Sequence, residues 1–70
     1  MTIYVNRDRL RLFRGARVCD AILRYSEQEY RNILSRRKQV QDTQGQPLGL
    51  QGRLEDGDQL NIVAIQLHEA

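Results

Sequence analysis

The chain predicts a small α+β domain, and three observations carry that class. Apolar and polar residues alternate at both ends, around Ile3 and Val5 near the start and Leu60 and Ile62 near the finish. Between them the spacing changes, with Val18, Ala21, Ile22 and Tyr25 recurring as on one face of a helix. A period of two is that of a half-buried strand, and a period near 3.6 that of an amphipathic helix. The third observation is negative: no repeat, low-complexity tract or linker divides residues 1–70, so they read as one domain, whole or part of a longer protein.

The elements follow in order. Ile3 and Val5 point one way and Thr2, Tyr4 and Asn6 the other, which predicts a first strand. After a short polar turn at Asn6-Arg7-Asp8, Leu10 and Leu12 alternate with Arg9, Arg11 and Phe13, predicting an antiparallel hairpin. Gly15 ends that pattern. A helix begins at Val18 with Asp20 in its first turn, where a carboxylate favours the positive end of the helix dipole. Ser26 and Glu29 have the spacing of a capping box, and Tyr30, Ile33 and Leu34 continue on a helical face. This predicts a second short helix from Ser26 to Ser35 set at an angle to the first, with one continuous kinked helix as the alternative. Gln39 to Thr43 reads as a short strand around Val40, and Gln44-Gly45-Gln46-Pro47 as a turn. Leu48 and Leu50 alternate across Gly49 as a strand or loop. Leu54 to Asp58 forms a tight acidic turn before a last strand, Gln59 to Ile65. The expected core is Ile3, Val5, Leu10, Leu12, Val18, Ile22, Leu54, Leu60 and Ile62.

Size and composition exclude several classes of function. A chain of 70 residues buries only about 60% of its unfolded surface, so its core is small. Hydrophobic residues make up 40% and charged residues 29%, a globular composition rather than a disordered one. No apolar run approaches the roughly 20 residues of a membrane helix. The start, Met1 to Asn6, lacks the basic and long apolar parts of a secretory signal. A cytoplasmic protein is the expectation, although an excised domain with an added Met would read the same way. One Cys excludes an internal disulfide, and Cys19 with His68 falls short of the ligands that zinc or an iron–sulfur cluster needs. Glu55, Asp56 and Asp58 lack a calcium-loop pattern. No cofactor or metal is expected.

The net charge is +2, but the charges are unevenly placed. Arg7, Arg9, Arg11, Arg14 and Arg17 fall in one stretch, and Arg36, Arg37 and Lys38 in another. The acids gather at Glu27 to Glu29 and Glu55 to Asp58. This asymmetry predicts a polar surface with a basic face.

Two local patterns carry a family resemblance. Ile3-Tyr4-Val5-Asn6 leads through Leu10 and Leu12 to Gly15-Ala16-Arg17-Val18 and Asp20-Ala21, similar to a hairpin followed by G-A-T-V-x-D-A at a helix start. Leu54-Glu55-Asp56-Gly57-Asp58-Gln59-Leu60-Asn61-Ile62 is close to L-x-D-G-D-x-V-x-I before a last strand. With the element order, these resemble the β-grasp, or ubiquitin-like, superfamily. The nearest likeness is to sulfur carriers of the ThiS/MoaD type, TGS domains and soluble-ligand-binding β-grasp domains. The resemblance implies a mixed four- to five-stranded sheet packed on one helix, here with a short second helix added.

Three departures limit what is carried over. Arg17 stands where the family has a Thr or Ser N-cap, a loss of about 1 kcal/mol of capping. The segment from Ser26 to Lys38 is longer than a minimal carrier needs. The sequence closes with Gln66-Leu67-His68-Glu69-Ala70, where the carriers end in the Gly-Gly whose carboxylate becomes a thiocarboxylate. Without that tail no residue inherits a catalytic role.

Fold signatures are weak guides to activity, and no nucleophile–base pair or phosphate-cradling loop can be named. The expectation is therefore a non-catalytic module that docks a protein partner through its exposed sheet face. Tyr4, Arg9 and Arg11, with Val63 beside them, are the candidate contacts, a mixture of aromatic, Arg and aliphatic groups enriched in interfaces. A carrier relative with a truncated or lost tail is one alternative. A TGS-like RNA-binding module is another, weakened by the low net charge and few aromatics.

Overall fold

The computed structural model describes residues 1–65; the expectations for the tail and His68 lie outside them. The elements are β1 (Thr2–Val5), β2 (Asp8–Arg11), α1 (Val18–Tyr25), α2 (Glu27–Leu34), β3 (Lys38–Gln41) and β4 (Gln59–Ala64). One four-stranded sheet has the order β2-β1-β4-β3. The outer pairs are antiparallel and the central pair, β1 with β4, is parallel. The molecule is thus an α+β domain with a mixed sheet and two helices.

The hairpin closes on only two residues, Asn6 (φ 49°) and Arg7 (φ 74°). Positive φ at both central positions matches the right-handed twist of the flanking strands. Asn tolerates this region readily, whereas Arg7 adopts it at some cost. Asn6 also reaches across the sheet. Its Oδ1 accepts the Ile62 N–H at 2.9 Å, joining the first turn to the last strand.

The two helices are separate because Ser26 is extended (φ −167°, ψ 123°). Its N–H still donates to Ile22 O, closing α1, while its Oγ accepts the Glu29 N–H, opening α2. One residue therefore caps both helices, and the continuous helix does not form. At the other end of α1 the missing Ser or Thr cap is replaced. Arg17 N–H donates to Asp20 Oδ2 at 2.8 Å. The orphan N–H groups of Val18 and Cys19 donate to Gly52 O and Leu50 O, both at 2.9 Å.

That capping explains the absence of a fifth strand from the described residues. The carbonyls of Leu50 and Gly52 serve α1 and not a sheet ladder, so 42–58 contributes only isolated bridges, Gln41 with Pro47 and Arg17 with Arg53.

The buried core is Ile3, Val5, Ala16, Val18, Ala21, Ile22, Val40, Leu54 and Leu60. Three expected members, Leu10, Leu12 and Ile62, are half-buried at its margin. Leu10 lies on the edge strand β2 and Leu12 just beyond it, where the cover of α1 ends. Ile62 lies on β4 past Leu60, where the pairing with β1 ends and only β3 remains as a neighbouring strand.

The acidic turn is built by its own side chains. Asp58 Oδ2 accepts the Glu55 N–H at 2.8 Å, and Asp56 Oδ1 accepts the Thr2 N–H at 2.6 Å. Gly57 (φ 90°) donates its N–H to Thr2 O at 2.7 Å. The turn thereby fastens the start of β1, a structural role beyond that of solvated charge.

The candidate docking face

Strand alternation and register decide which side chains share the uncovered face. Ile3, Val5, Val40 and Leu60 pack on the helical side against Val18, Ala21 and Ile22. Residues one position away from them point to the opposite side. On β1 and β2 these are Thr2 and Tyr4 with Arg11 and Arg9, each pair directly opposed in the ladder. Tyr4 is also level with Gln59 across the parallel pairing. On β4 and β3 the face continues with Asn61 beside Gln41 and Val63 beside Gln39.

The structure therefore brings Tyr4, Arg9, Arg11 and Val63 onto one face, with Tyr4 and Arg9 as immediate neighbours. Arg9 and Arg11 are exposed, and Tyr4 and Val63 are half-buried among their neighbours. The amides of Gln39, Gln41, Gln59 and Asn61 share this face as well. The parallel pairing of β1 with β4 joins distant segments, and no local signal marks it.

No strand position on this face carries an Asp or Glu. The acid of the hairpin, Asp8, is level with Val5 and belongs to the other side. The face thus presents two guanidinium groups, one phenol and a field of amides. Near the hairpin turn a shallow hollow of about 440 Å³ opens, lined by Tyr4, Arg7, Thr43, Gln59, Leu60 and Asn61.

Two members of the basic clusters are engaged away from the uncovered face. Arg17 donates from its guanidinium to Gln51 O at 2.9 Å, beside the start of α1. Lys38 Nζ lies 2.8 Å from Glu29 Oε1, which removes it from the cluster with Arg36 and Arg37. What remains at the sheet is Arg9 and Arg11, with Arg7 at the turn.

A larger hollow of about 490 Å³ lies between the 42–49 and 52–60 segments, with Val18, Leu48, Leu54 and Leu60 in its wall. Its carboxylates are engaged by backbone: Asp42 Oδ1 accepts the N–H groups of Gln44 and Gln46 at 2.8 and 2.9 Å, and Asp58 holds Glu55. Among the described residues no three His, Cys, Asp or Glu side chains are grouped to hold a metal ion, and no helix is long and apolar enough to cross a membrane. Comparison of the chain with protein-family models, with curated proteins and with solved structures gives no match in any of the three.

Proposed function

We propose that the chain is a non-catalytic β-grasp module that docks a protein partner through the uncovered face of its sheet. The fold part of this reading is supported by the helical Val18–Tyr25 segment and by the adjacency of the first and last strands, which pair in parallel. A β-grasp sheet covered by helices on one side leaves its other side to a partner.

One observation carries the functional part: the uncovered face sets Tyr4 directly opposite Arg9, with Arg11 beside them and no acid at its strand positions. Arg and Tyr are the side chains that dominate interface energetics, because each offers a large contact area with a polar tip. A guanidinium also forms bidentate bonds to a carboxylate and stacks on aromatic rings. The amides around them supply donors and acceptors for a polar rim. A nucleic-acid surface would be expected to pair its cations with several stacking aromatics, and Tyr4 is the one aromatic among the strand positions of this face.

The test is affinity capture with the parent chain and with the double variant Arg9→Ser, Arg11→Ser. Both substitutions are on the surface and should leave stability within about 0.5 kcal/mol each. The reading requires a captured protein whose binding weakens about tenfold or more in the double variant. Equal binding by the two chains at low salt, or capture that nuclease abolishes, would overturn it.

A further inference from the structure

The free edge of the sheet on the hairpin side is β2, and the direction of its backbone groups follows from the register. Leu12 N–H donates to Met1 O at 2.9 Å, and the Met1 amino group donates to Leu12 O at 2.7 Å. Met1 and Leu12 are thus a hydrogen-bonded pair. Such pairs alternate along an antiparallel ladder, so Ile3–Leu10 and Val5–Asp8 are hydrogen-bonded while Tyr4–Arg9 and Thr2–Arg11 are not. The other side of β1 agrees: Tyr4 N–H donates to Asp58 O and Thr2 O accepts from Gly57 N–H, both away from β2. The N–H and C=O groups of Arg9 and Arg11 therefore point outward from the sheet. Among the described residues no backbone group takes them.

Beside this edge lies a groove of about 440 Å³ between the end of β2 and α1, lined by Arg11, Leu12, Phe13, Asp20, Leu23 and Arg24. Phe13 is 63% exposed and Leu23 43%, an unusual outlay of apolar surface for so small a chain. The Asp20 carboxylate is already held by the Arg17 N–H. The wall thus carries one negative charge, on Asp20, against two positive ones, the guanidinium groups of Arg11 and Arg24.

We propose that an extended acidic segment of a partner protein adds to β2 as a further strand. Its backbone pairs with the outward groups of Arg9 and Arg11, its apolar side chains cover Phe13 and Leu23, and its carboxylates, alternating to the opposite side, meet Arg9 and Arg11. Main-chain bonds supply affinity in strand addition, and alternate side chains supply specificity. The proposal rests on the protein-docking reading and names the partner's chemistry. A second copy of this chain does not suit the edge. Pairing β2 with β2 would set Arg9 and Arg11 of both copies side by side, and like charges directly opposed destabilise a strand pair.

The probe is a blocked octapeptide alternating Val and Glu, with a Val and Lys peptide as control, followed by amide NMR and hydrogen exchange on the full chain. The Glu peptide should shift the amide signals of Arg9, Arg11, Phe13 and Leu23 saturably and slow exchange at the Arg9 and Arg11 N–H about tenfold or more. Phe13→Ser should weaken it about tenfold. Arg11→Pro, which removes an outward N–H without breaking the ladder, should bind more weakly than Arg11→Ala. The proposal is overturned if the Lys peptide binds equally, if no saturable shift appears at millimolar peptide, or if protection at Arg9 and Arg11 arises from self-association alone. Shifts confined to Gln39, Asn61 and Val63 would also overturn it, while leaving docking at the sheet face intact.

Discussion

Glu29 and Lys38 form an ion pair that joins the first turn of α2 to the first residue of β3, with Lys38 Nζ 2.8 Å from Oε1 and 3.0 Å from Oε2. The pair exists because of Ser26. In a complete capping box the Glu29 carboxylate would bond the Ser26 N–H, but that N–H already closes α1 on Ile22 O. Glu29 instead accepts from Lys38 and from Asn32 Nδ2 at 2.8 Å.

The pair sets a pH dependence. The Lys38 hydrogen bond, and after it that of Asn32, hold the Glu29 carboxyl below its ordinary value, against a smaller opposing effect of burial. A carboxylate whose folded pKa is depressed contributes stability above its unfolded value and loses it as pH falls through the folded one. Both side chains retain exposure, 35% for Lys38 and 17% for Glu29, so solvent screening keeps the contribution at about 0.5 kcal/mol. Urea denaturation should show Glu29→Gln destabilised by about that amount at neutral pH. The difference should shrink toward zero once pH falls below the depressed value. A difference that persisted in acid would mean that Glu29 acts through packing alone.

Asn6 combines a left-handed backbone with a long-range hydrogen bond, and the two can be separated. Asn6→Gly keeps the positive φ and loses the bond to Ile62 N–H, leaving that group unsatisfied at a cost of about 1–3 kcal/mol. Asn6→Ala loses the bond and also strains the turn, and should cost about 1 kcal/mol more. Denaturant midpoints of the two variants check the order.

The start of α1 gives a third case. Asp20→Ala removes the acceptor for the Arg17 N–H and a favourable charge in the first turn, and should cost about 1 kcal/mol. The backbone caps from Leu50 and Gly52 remain, so thermal unfolding should stay a single transition. A loss much larger than this would mean that Asp20 also holds the 50–52 segment in place.

Core truncations should rank by burial rather than by hydrophobicity. Ile3 is fully buried and Ile62 half-buried. Ile3→Ala should cost about 2–5 kcal/mol, and Ile62→Ala clearly less. In a domain whose total stability is of the order of 5 kcal/mol, Ile3→Ala could abolish folding. A milder Ile3→Val, at about 1 kcal/mol, keeps the comparison measurable.

The same residues show what the sequence could convey. The period change at Val18 and the Ser26–Glu29 spacing located both helices, because caps and amphipathic faces are local. Alternation alone separated Tyr4, Arg9 and Arg11 from Ile3, Val5 and Leu10. It could not grade burial along the strands, since that depends on where the helices end. Nor could it show that Leu50 and Gly52 cap α1 instead of forming a strand, or that Gln59 comes level with Tyr4. Those relationships are between distant segments. The groove at Phe13 and Leu23 was hidden for the same reason, since it arises only where α1 crosses the end of β2.

Site-specific photocrosslinking tests the docking claim most directly. A benzophenone side chain placed at Tyr4 or at Val63 sits on the uncovered face, and one at Leu34, 57% exposed on α2, sits on a helix packed against the other side. Docking at the sheet face predicts a protein adduct from Tyr4 and Val63, reduced by Arg9→Ser with Arg11→Ser, and none from Leu34. An adduct from Leu34 alone, or one consisting of nucleic acid, would contradict it.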